Sequence, residues 1–329
     1  MRMWRAYELG EPRDVMKLVD GPEPMAGPGE VVIEVHAAAL QFPDLLQLRG
    51  GYQVKPKLPY TMGGEIAGRV AHVGEGVTSV AVGDAVAVSA PGGLAELAVA
   101  KAEKVLLLTV DIPPTKAAAM ISNYTTTYYA LHDRAQLQPG EWLLVHAGAG
   151  GIGSSAIQLG LAAGARVIAT AGGADKVAVC KQLGAEVAID YTAGGDLVEQ
   201  VRDITGGAGV DVVYDPVGGD IFDQSRRTVG WNGRYLVIGF TSGRIPDAPA
   251  NHILLKNYSV VGVHWGAAVA REPEAMPRTY AKVLELYAAG QVDPLIYQDE
   301  ALPLAAASEG LALLGERGTV GKVVVDPRR

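Results

Sequence analysis

The chain has 329 residues, which at roughly 100–200 residues per domain predicts two domains. Its 49% apolar and 19% charged residues can build a sizeable core and exclude a disordered chain. The 28 Lys+Arg against 36 Asp+Glu leave a net charge of −8, against a general nucleic-acid binder, and the single Cys180 excludes an intramolecular disulfide and a Cys-based zinc cluster.

The N-terminal segment turns charged too early for a signal peptide, and no stretch reaches the roughly 20 apolar residues of a membrane helix. A soluble, cytoplasmic protein without membrane insertion is therefore expected. The first 120 or so residues read as β, with short runs at Val31–Val35, Ile66–Val73, Ala85–Val88 and Val105–Leu108. Turn signals such as Pro28-Gly29, Gly74-Glu75-Gly76 and Gly83-Asp84 separate them, the spacing of a small barrel or sandwich.

Near residue 120 the rhythm changes. A helix is expected over 124–135, then strand Glu141–His146 and a helix over 152–163. Strand Arg166–Thr170, helix 175–183, strand Val187–Ile189, helix 195–205, strand Val210–Tyr214, helix 219–229 and strand Arg234–Ile238 follow. Strand Ser259–Val263 closes the series. Alternating strands and helices of this length mean βαβ units and a parallel sheet covered on both faces. The tail carries helical patterns at Thr279–Ala289 and 304–314 and a strand at Lys322–Val325. It is too small to bury its own core and is expected to pack on the N-terminal half. The expected division is thus 1–122 completed by 266–329, with 123–265 inserted.

The strongest local motif is Leu143-Leu144-Val145-His146-Ala147-Gly148-Ala149-Gly150-Gly151-Ile152-Gly153. Gly148, Gly150 and Gly153 satisfy GxGxxG, after a buried strand and at the start of a helix, the context that gives this motif its meaning. Gly148 is expected to permit the tight turn, Gly150 to let backbone approach a pyrophosphate, and Gly153 to seat the helix on the strand. The second strand ends Thr170-Ala171-Gly172-Gly173-Ala174-Asp175-Lys176, without the acid that usually holds a ribose 2′-hydroxyl. Small residues there leave room for a 2′-phosphate, with Lys176 as its counter-charge. The plainer reading of Lys176 is a solvated lysine at a helix start.

Gly63-Gly64-Glu65-Ile66-Ala67-Gly68, Val73-Gly74-Glu75-Gly76-Val77 and Val82-Gly83-Asp84-Ala85-Val86 resemble the medium-chain dehydrogenase/reductase superfamily. So do Pro28-Gly29-Glu30-Val31, Asn123–Tyr128, Asp215-Pro216-Val217-Gly218-Gly219, Ile238-Gly239-Phe240 and Gly321-Lys322-Val323. The resemblance covers nearly the whole chain. It implies an α/β protein: a GroES-like, mostly-β catalytic domain with an inserted Rossmann domain, a doubly wound parallel sheet. The superfamily's alcohol dehydrogenases hold catalytic zinc through a cysteine where this chain has Gln41 and a histidine where it has Gly64. One surviving carboxylate, Glu65, cannot build a tetrahedral site. The chain therefore resembles the zinc-independent branch, the NADPH:quinone oxidoreductases and their enoyl-reductase relatives, with no metal.

Phe42-Pro43-Asp44-Leu45-Leu46, Gly50-Gly51-Tyr52 and Val263-His264-Trp265-Gly266 also resemble that branch, although Gln41 replaces its usual Asn. The likeness implies NADP(H) as cofactor. Lys176, Tyr191 and Arg317 fall at the 2′-phosphate and adenine, and Thr126, Gly239 and Phe240 at the nicotinamide. Gly151, Ile152, Gly173, Val217, Val263 and Trp265 are further implied cofactor contacts. Tyr191 could instead cap the sheet, Arg317 be a surface charge, and Thr126 a helix hydroxyl. Gln41 and Tyr52 are the candidates on the acceptor side. With no metal, the acceptor oxygen needs a donor, and Tyr52 follows two glycines on the loop that the resemblance places at the site.

His132 and Asp133 point about 100° apart on a helix and read as surface. His146 reads as a packed histidine, Cys180 as core or helix surface, and His264 as a candidate near the domain junction. The expected activity is hydride transfer from NADPH to small quinones or activated alkenes. An enoyl-thioester reductase is the enzymatic alternative, and a non-catalytic NADPH-binding regulatory or structural protein the other. A homodimer paired along the Tyr258–Trp265 edge is expected as well.

Overall fold

The computed structural model describes residues 1–52 and 55–329. The chain divides into two compact units, one of Met1–Ser122 with Pro294–Arg329, the other of Asn123–Asp293.

The first unit is built on long β-branched strands. Glu30–Ala39 pairs antiparallel with both Glu65–Val73 and Leu97–Lys101, and Glu65–Val73 pairs on with Ala85–Ser89. The sheet runs Leu302–Pro303, Val324–Asp326, Glu30–Ala39, Glu65–Val73, Ala85–Ser89, Leu106–Leu107, with Leu97–Lys101 off that path. Its core holds Val31, Ile33, Val35, Ile66, Val86 and Val88 together with Leu304, Leu311, Val323 and Val325. The C-terminal tail thus completes a core that neither segment could close alone. A short hairpin, Arg2–Ala6 with Met16–Asp20, and two short helices, Pro12–Val15 and Phe42–Leu48, were not expected from the sequence.

The second unit is a six-stranded sheet in the order Val187–Asp190, Arg166–Ala171, Trp142–Val145, Val210–Asp215, Val229–Val237, Ser259–Gly262. Every neighbouring pair in it is parallel. Its strands are near-continuous apolar runs, as burial on both faces requires. The strand order reverses between Trp142–Val145 and Val210–Asp215. In such sheets a ligand crevice opens at the carboxyl ends of the strands at that point.

The structure departs from the expected elements in two instructive places. The helix expected over 124–135 begins at Pro114 and runs to Tyr128, then widens to a π-turn over Tyr129–Arg134. Its first half, Ala117–Ile121, is fully buried and apolar all round, so it carries no amphipathic stripe to read. The second break falls after Asp293, where the sequence placed it after Trp265. Gln158 clamps that point: its Nε2 donates to Asp293 O at 2.8 Å, and Asp293 N–H donates to its Oε1 at 2.6 Å. The helix Ala275–Ala288 therefore belongs to the second unit. Among the described residues no helix is long and apolar enough to cross a membrane.

Candidate active site

The glycine-rich turn joins Trp142–Val145 to the helix Gly151–Ala162, with Gly150 at its N-cap. Each glycine answers a specific crowding. A Cβ on Gly153 would lie 2.0 Å from Ala147 O, and one on Gly148 would lie 2.8 Å from Cys180 Sγ and 3.0 Å from Ala169 Cβ. Gly150 is milder, at 3.3 Å from Ala147 O. The left-handed backbone that bends the chain sits at Ala147, with φ 53°, rather than at Gly148. Gly148 is needed for contact with the neighbouring strand and helix instead. Gly151 and Ile152 supply N–H groups from the helix's first turn, which has no side-chain cap. Those groups and the helix dipole suit an anionic pyrophosphate.

Below the turn the side chains are buried. Burial drives the Cys180 thiol up to about 11, so it is an inert packing group. His146 is fully buried, with Nδ1 2.9 Å from Thr170 Oγ1, and burial lowers its pKa so that the ring is neutral. It ties the first two strands together, as a packed histidine would. Thr127 Oγ1 lies 2.8 Å from both Ser155 Oγ and Tyr214 Oη, a buried knot beside half-buried Thr126.

The second strand ends in Gly172-Gly173, and Gly173 takes φ 87° at the N-cap of the helix Ala174–Gln182. The Tyr191 ring lies against Gly172, where an added Cβ would meet its hydroxyl at 2.7 Å. Lys176 is half-buried in that helix's first turn. The fold thus brings Gly172, Gly173, Lys176 and Tyr191 to one corner. Arg317 belongs to the first unit, in left-handed conformation after the helix Ala307–Gly315. The carboxylate at the corner is Asp190, whose Oδ1 accepts from Gly173 N–H at 2.9 Å, Thr192 N–H at 2.9 Å and Thr192 Oγ1 at 2.6 Å. It orders the turn and was missed in the sequence. Its signal was the Asp-Tyr-Thr following a strand, the pattern of an Asx-turn.

A second missed residue is Asp215, buried at the end of Val210–Asp215. Its Oδ1 accepts from Val217 and Gly218 N–H at 2.8 and 3.0 Å, and Tyr235 Oη donates to its Oδ2 at 2.7 Å. Backbone bonds Thr241 N–H to Pro216 O and Ser242 N–H to Val217 O then join this loop to the next. Val217, Gly239 and Phe240 are therefore neighbours, and Phe240, 39% exposed, packs over Gly218. Val263 continues from the edge strand by donating to Val237 O. Trp265 is buried at the start of the helix Trp265–Arg271, its ring 5.2 Å from that of Tyr129. Its neighbour His264 is exposed, and His132 stacks on Tyr128 at 4.2 Å beside exposed Asp133.

In the first unit, Gln41 is the N-cap of Phe42–Leu48, and its N–H donates to Asp44 Oδ2 at 2.9 Å. Its amide Nε2 lies 3.4 Å from where a Cβ on Gly64 would stand, so positions 41 and 64 are adjacent in space. The next residue, Glu65, is fully buried and already engaged. Lys322 Nζ lies 2.5 Å from its Oε2, and Ser122 N–H donates to its Oε1 at 2.6 Å. An amide, a glycine and a spent carboxylate do not fit a zinc ion. Among the described residues no group of three or more His, Cys, Asp or Glu could hold a metal. Tyr52 is half-buried, five residues beyond Gln47, whose Oε1 accepts from Tyr60 Oη at 2.9 Å.

A strand, a glycine cradle and a helix at the switch point of a six-stranded parallel sheet define a dinucleotide-binding unit. Comparison with known proteins agrees. The family described as alcohol dehydrogenase GroES-like domain matches residues 27–110, and that described as zinc-binding dehydrogenase matches 151–288. The quinone oxidoreductase-like protein 2 homolog of Nematostella vectensis is 36% identical over 306 residues, 92% of this chain and 83% of that one. The Escherichia coli quinone oxidoreductase complexed with NADPH superposes with TM-score 0.91 at 29% identity, covering 99% of this chain and 100% of that one. CurK enoyl reductase superposes with TM-score 0.87 at 27% identity, over 99% and 98%. The chain belongs to the medium-chain dehydrogenase/reductase superfamily, in its quinone oxidoreductase branch. It is an oxidoreductase of that branch whose second unit carries the family's dinucleotide fold.

Proposed function

We propose that the chain is a zinc-independent reductase that uses NADPH to reduce quinones or activated alkenes. The observation that carries this reading is the corner at Gly172–Gly173. The strand ends there in glycines rather than an acid, Asp190 is spent on the turn itself, and Lys176 and Tyr191 flank the space. A 2′-phosphate meets a cation and a phenol there, whereas a 2′-hydroxyl finds no strand-end carboxylate. NADPH supplies the hydride when bound.

The chain's own residues bind and orient. Gly148, Gly150, Gly151, Ile152 and Gly153 cradle the pyrophosphate, and Lys176 and Tyr191 the phosphate end. Thr126, Gly173, Val217, Gly239, Phe240, Val263 and Trp265 complete the cofactor contacts. On the acceptor side the Gln41 amide and the Tyr52 phenol act as donors to the oxygen that gathers negative charge, the task zinc performs in other members. Tyr52 then provides the proton that completes the reduction, or water does so for the hydroquinone monoanion that hydride transfer to a quinone leaves. The edge strand Ser259–Gly262 ends the sheet and supports pairing into a homodimer.

The second reading, an enoyl-thioester reductase, draws on the likeness to CurK enoyl reductase. Oxidation of NADPH by the purified chain with quinones, enones and enoyl-CoA esters separates the two. Turnover on none of them would leave a binding protein without catalysis. Titration of both cofactors tests the corner: NADPH should bind more tightly than NADH, and Lys176→Ala should narrow the gap by roughly tenfold. Equal affinities in the unaltered chain would refute the assignment.

A further inference from the structure

Beside Gln41 and Gly64 the first unit holds three buried ionisable groups. Asp44 is 4% exposed, Glu65 0% and Lys322 6%. Asp44 comes from the first turn of Phe42–Leu48, Glu65 from the start of its strand, and Lys322 from the C-terminal segment, held by Lys322 N–H to Leu295 O at 2.8 Å. Lys322 pairs with Glu65, and Asp44 lies near enough to feel both charges, so the three groups fully ionised carry a net charge of −1, and one proton makes them neutral. The cluster reaches Gln41 through its backbone, where Asp44 Oδ2 accepts from the main-chain N–H at 2.9 Å.

We propose that Asp44 is a positioning residue whose proton, taken up near the Glu65–Lys322 pair, keeps the cluster behind Gln41 neutral while the acceptor oxygen gathers negative charge. This rests on the reading of Gln41 as an acceptor-side donor. The groups that face Asp44 are Gln41 N–H on its own helix, Glu65 on the neighbouring strand, Lys322 on the tail segment and Tyr60 on the loop between. Burial raises the Asp44 pKa to about 7, the Glu65 charge adds to that, and the Gln41 N–H and Lys322 ammonium oppose it. Burial likewise raises the Glu65 carboxyl, against Lys322 and Ser122. The two carboxyls titrate as a pair.

Hydride arrival makes the acceptor negative, and a net negative cluster behind Gln41 opposes that change. A unit charge several ångströms away in a partly buried site is worth roughly tenfold in rate. The reduction should therefore slow as pH rises through neutrality.

The test compares kcat for reduction of a quinone or enone at saturating NADPH from about pH 5.5 to 9 in the unaltered chain, Asp44→Asn and Glu65→Gln. Using kcat keeps titration of the cofactor phosphate out of the result. The unaltered chain should lose roughly tenfold across a midpoint near neutrality. Asp44→Asn keeps an acceptor for Gln41 N–H without the titration and should be flat. Glu65→Gln removes the neighbouring charge and should move the midpoint to lower pH. The same profile in Asp44→Asn as in the unaltered chain would overturn the inference and leave the proposed activity standing. No turnover at any pH would overturn both.

Discussion

Lys322→Met should destabilise the first unit by about 3–5 kcal/mol, because it strands Glu65 as a buried charge with no partner. Glu65 is fully enclosed, and Ser122 N–H alone cannot replace an ammonium at 2.5 Å. The double variant Glu65→Gln with Lys322→Met should recover most of the loss, since a neutral amide has far less to lose by burial. pH gives the effect a direction. The folded Glu65 carboxyl is raised above its ordinary value by burial, so its contribution to stability is present at low pH and is lost as pH rises. Without Lys322 that loss grows, and the deficit of the single variant should narrow on acidification. Urea denaturation followed by hydrogen exchange in the strands Glu30–Ala39 and Glu65–Val73 reads it out. A deficit below about 1 kcal/mol would show that the pair is solvated in practice.

Gly153→Ala should damage both fold and cofactor binding. Its Cβ would sit 2.0 Å from Ala147 O and 2.8 Å from Gly148 Cα, and backbone atoms cannot swing aside as a side chain can. The helix Gly151–Ala162 must lift off the sheet, at about 1–3 kcal/mol for overpacking. That shift moves the N–H groups facing the pyrophosphate, and NADPH affinity should fall by roughly tenfold or more. Gly150→Ala is the contrast. Its backbone has φ −80°, which alanine adopts freely, and its nearest contact is 3.3 Å. It should keep its stability and lose affinity alone, because the added methyl stands where a ligand would approach. Calorimetric titration and thermal melts on both variants check the pair. Equal stability loss in the two would contradict the crowding assigned to Gly153.

Much of the second unit was legible because its signals are local. Strand Trp142–Val145, the glycines after it and the helix Gly151–Ala162 lie within two dozen residues, and each strand of the sheet ends in its own turn residues. The first unit hid more. Phe42–Leu48 escaped notice because its N-cap is Gln41 rather than Ser, Thr, Asp or Asn, although Asp44 three residues later is half of a capping box. Lys322 could be read as part of a motif but not as the partner of Glu65, since only strand pairing through the C-terminal segment brings them together. Asp190 and Asp215 act on backbone N–H groups of turns, a role that residue type hints at and geometry alone assigns. The break after Asp293 depends on one glutamine, Gln158, reaching a backbone far along the chain.

The central claim is metal-free hydride transfer from NADPH. The most direct test supplies the chelator-treated chain with NADPH carrying deuterium at both nicotinamide C4 positions and an enone, and follows the reduced product by mass spectrometry. The account predicts one deuterium on the β-carbon of the product at a rate unaffected by chelation. Product without deuterium, or activity that vanishes with the chelator and returns with zinc, would contradict it.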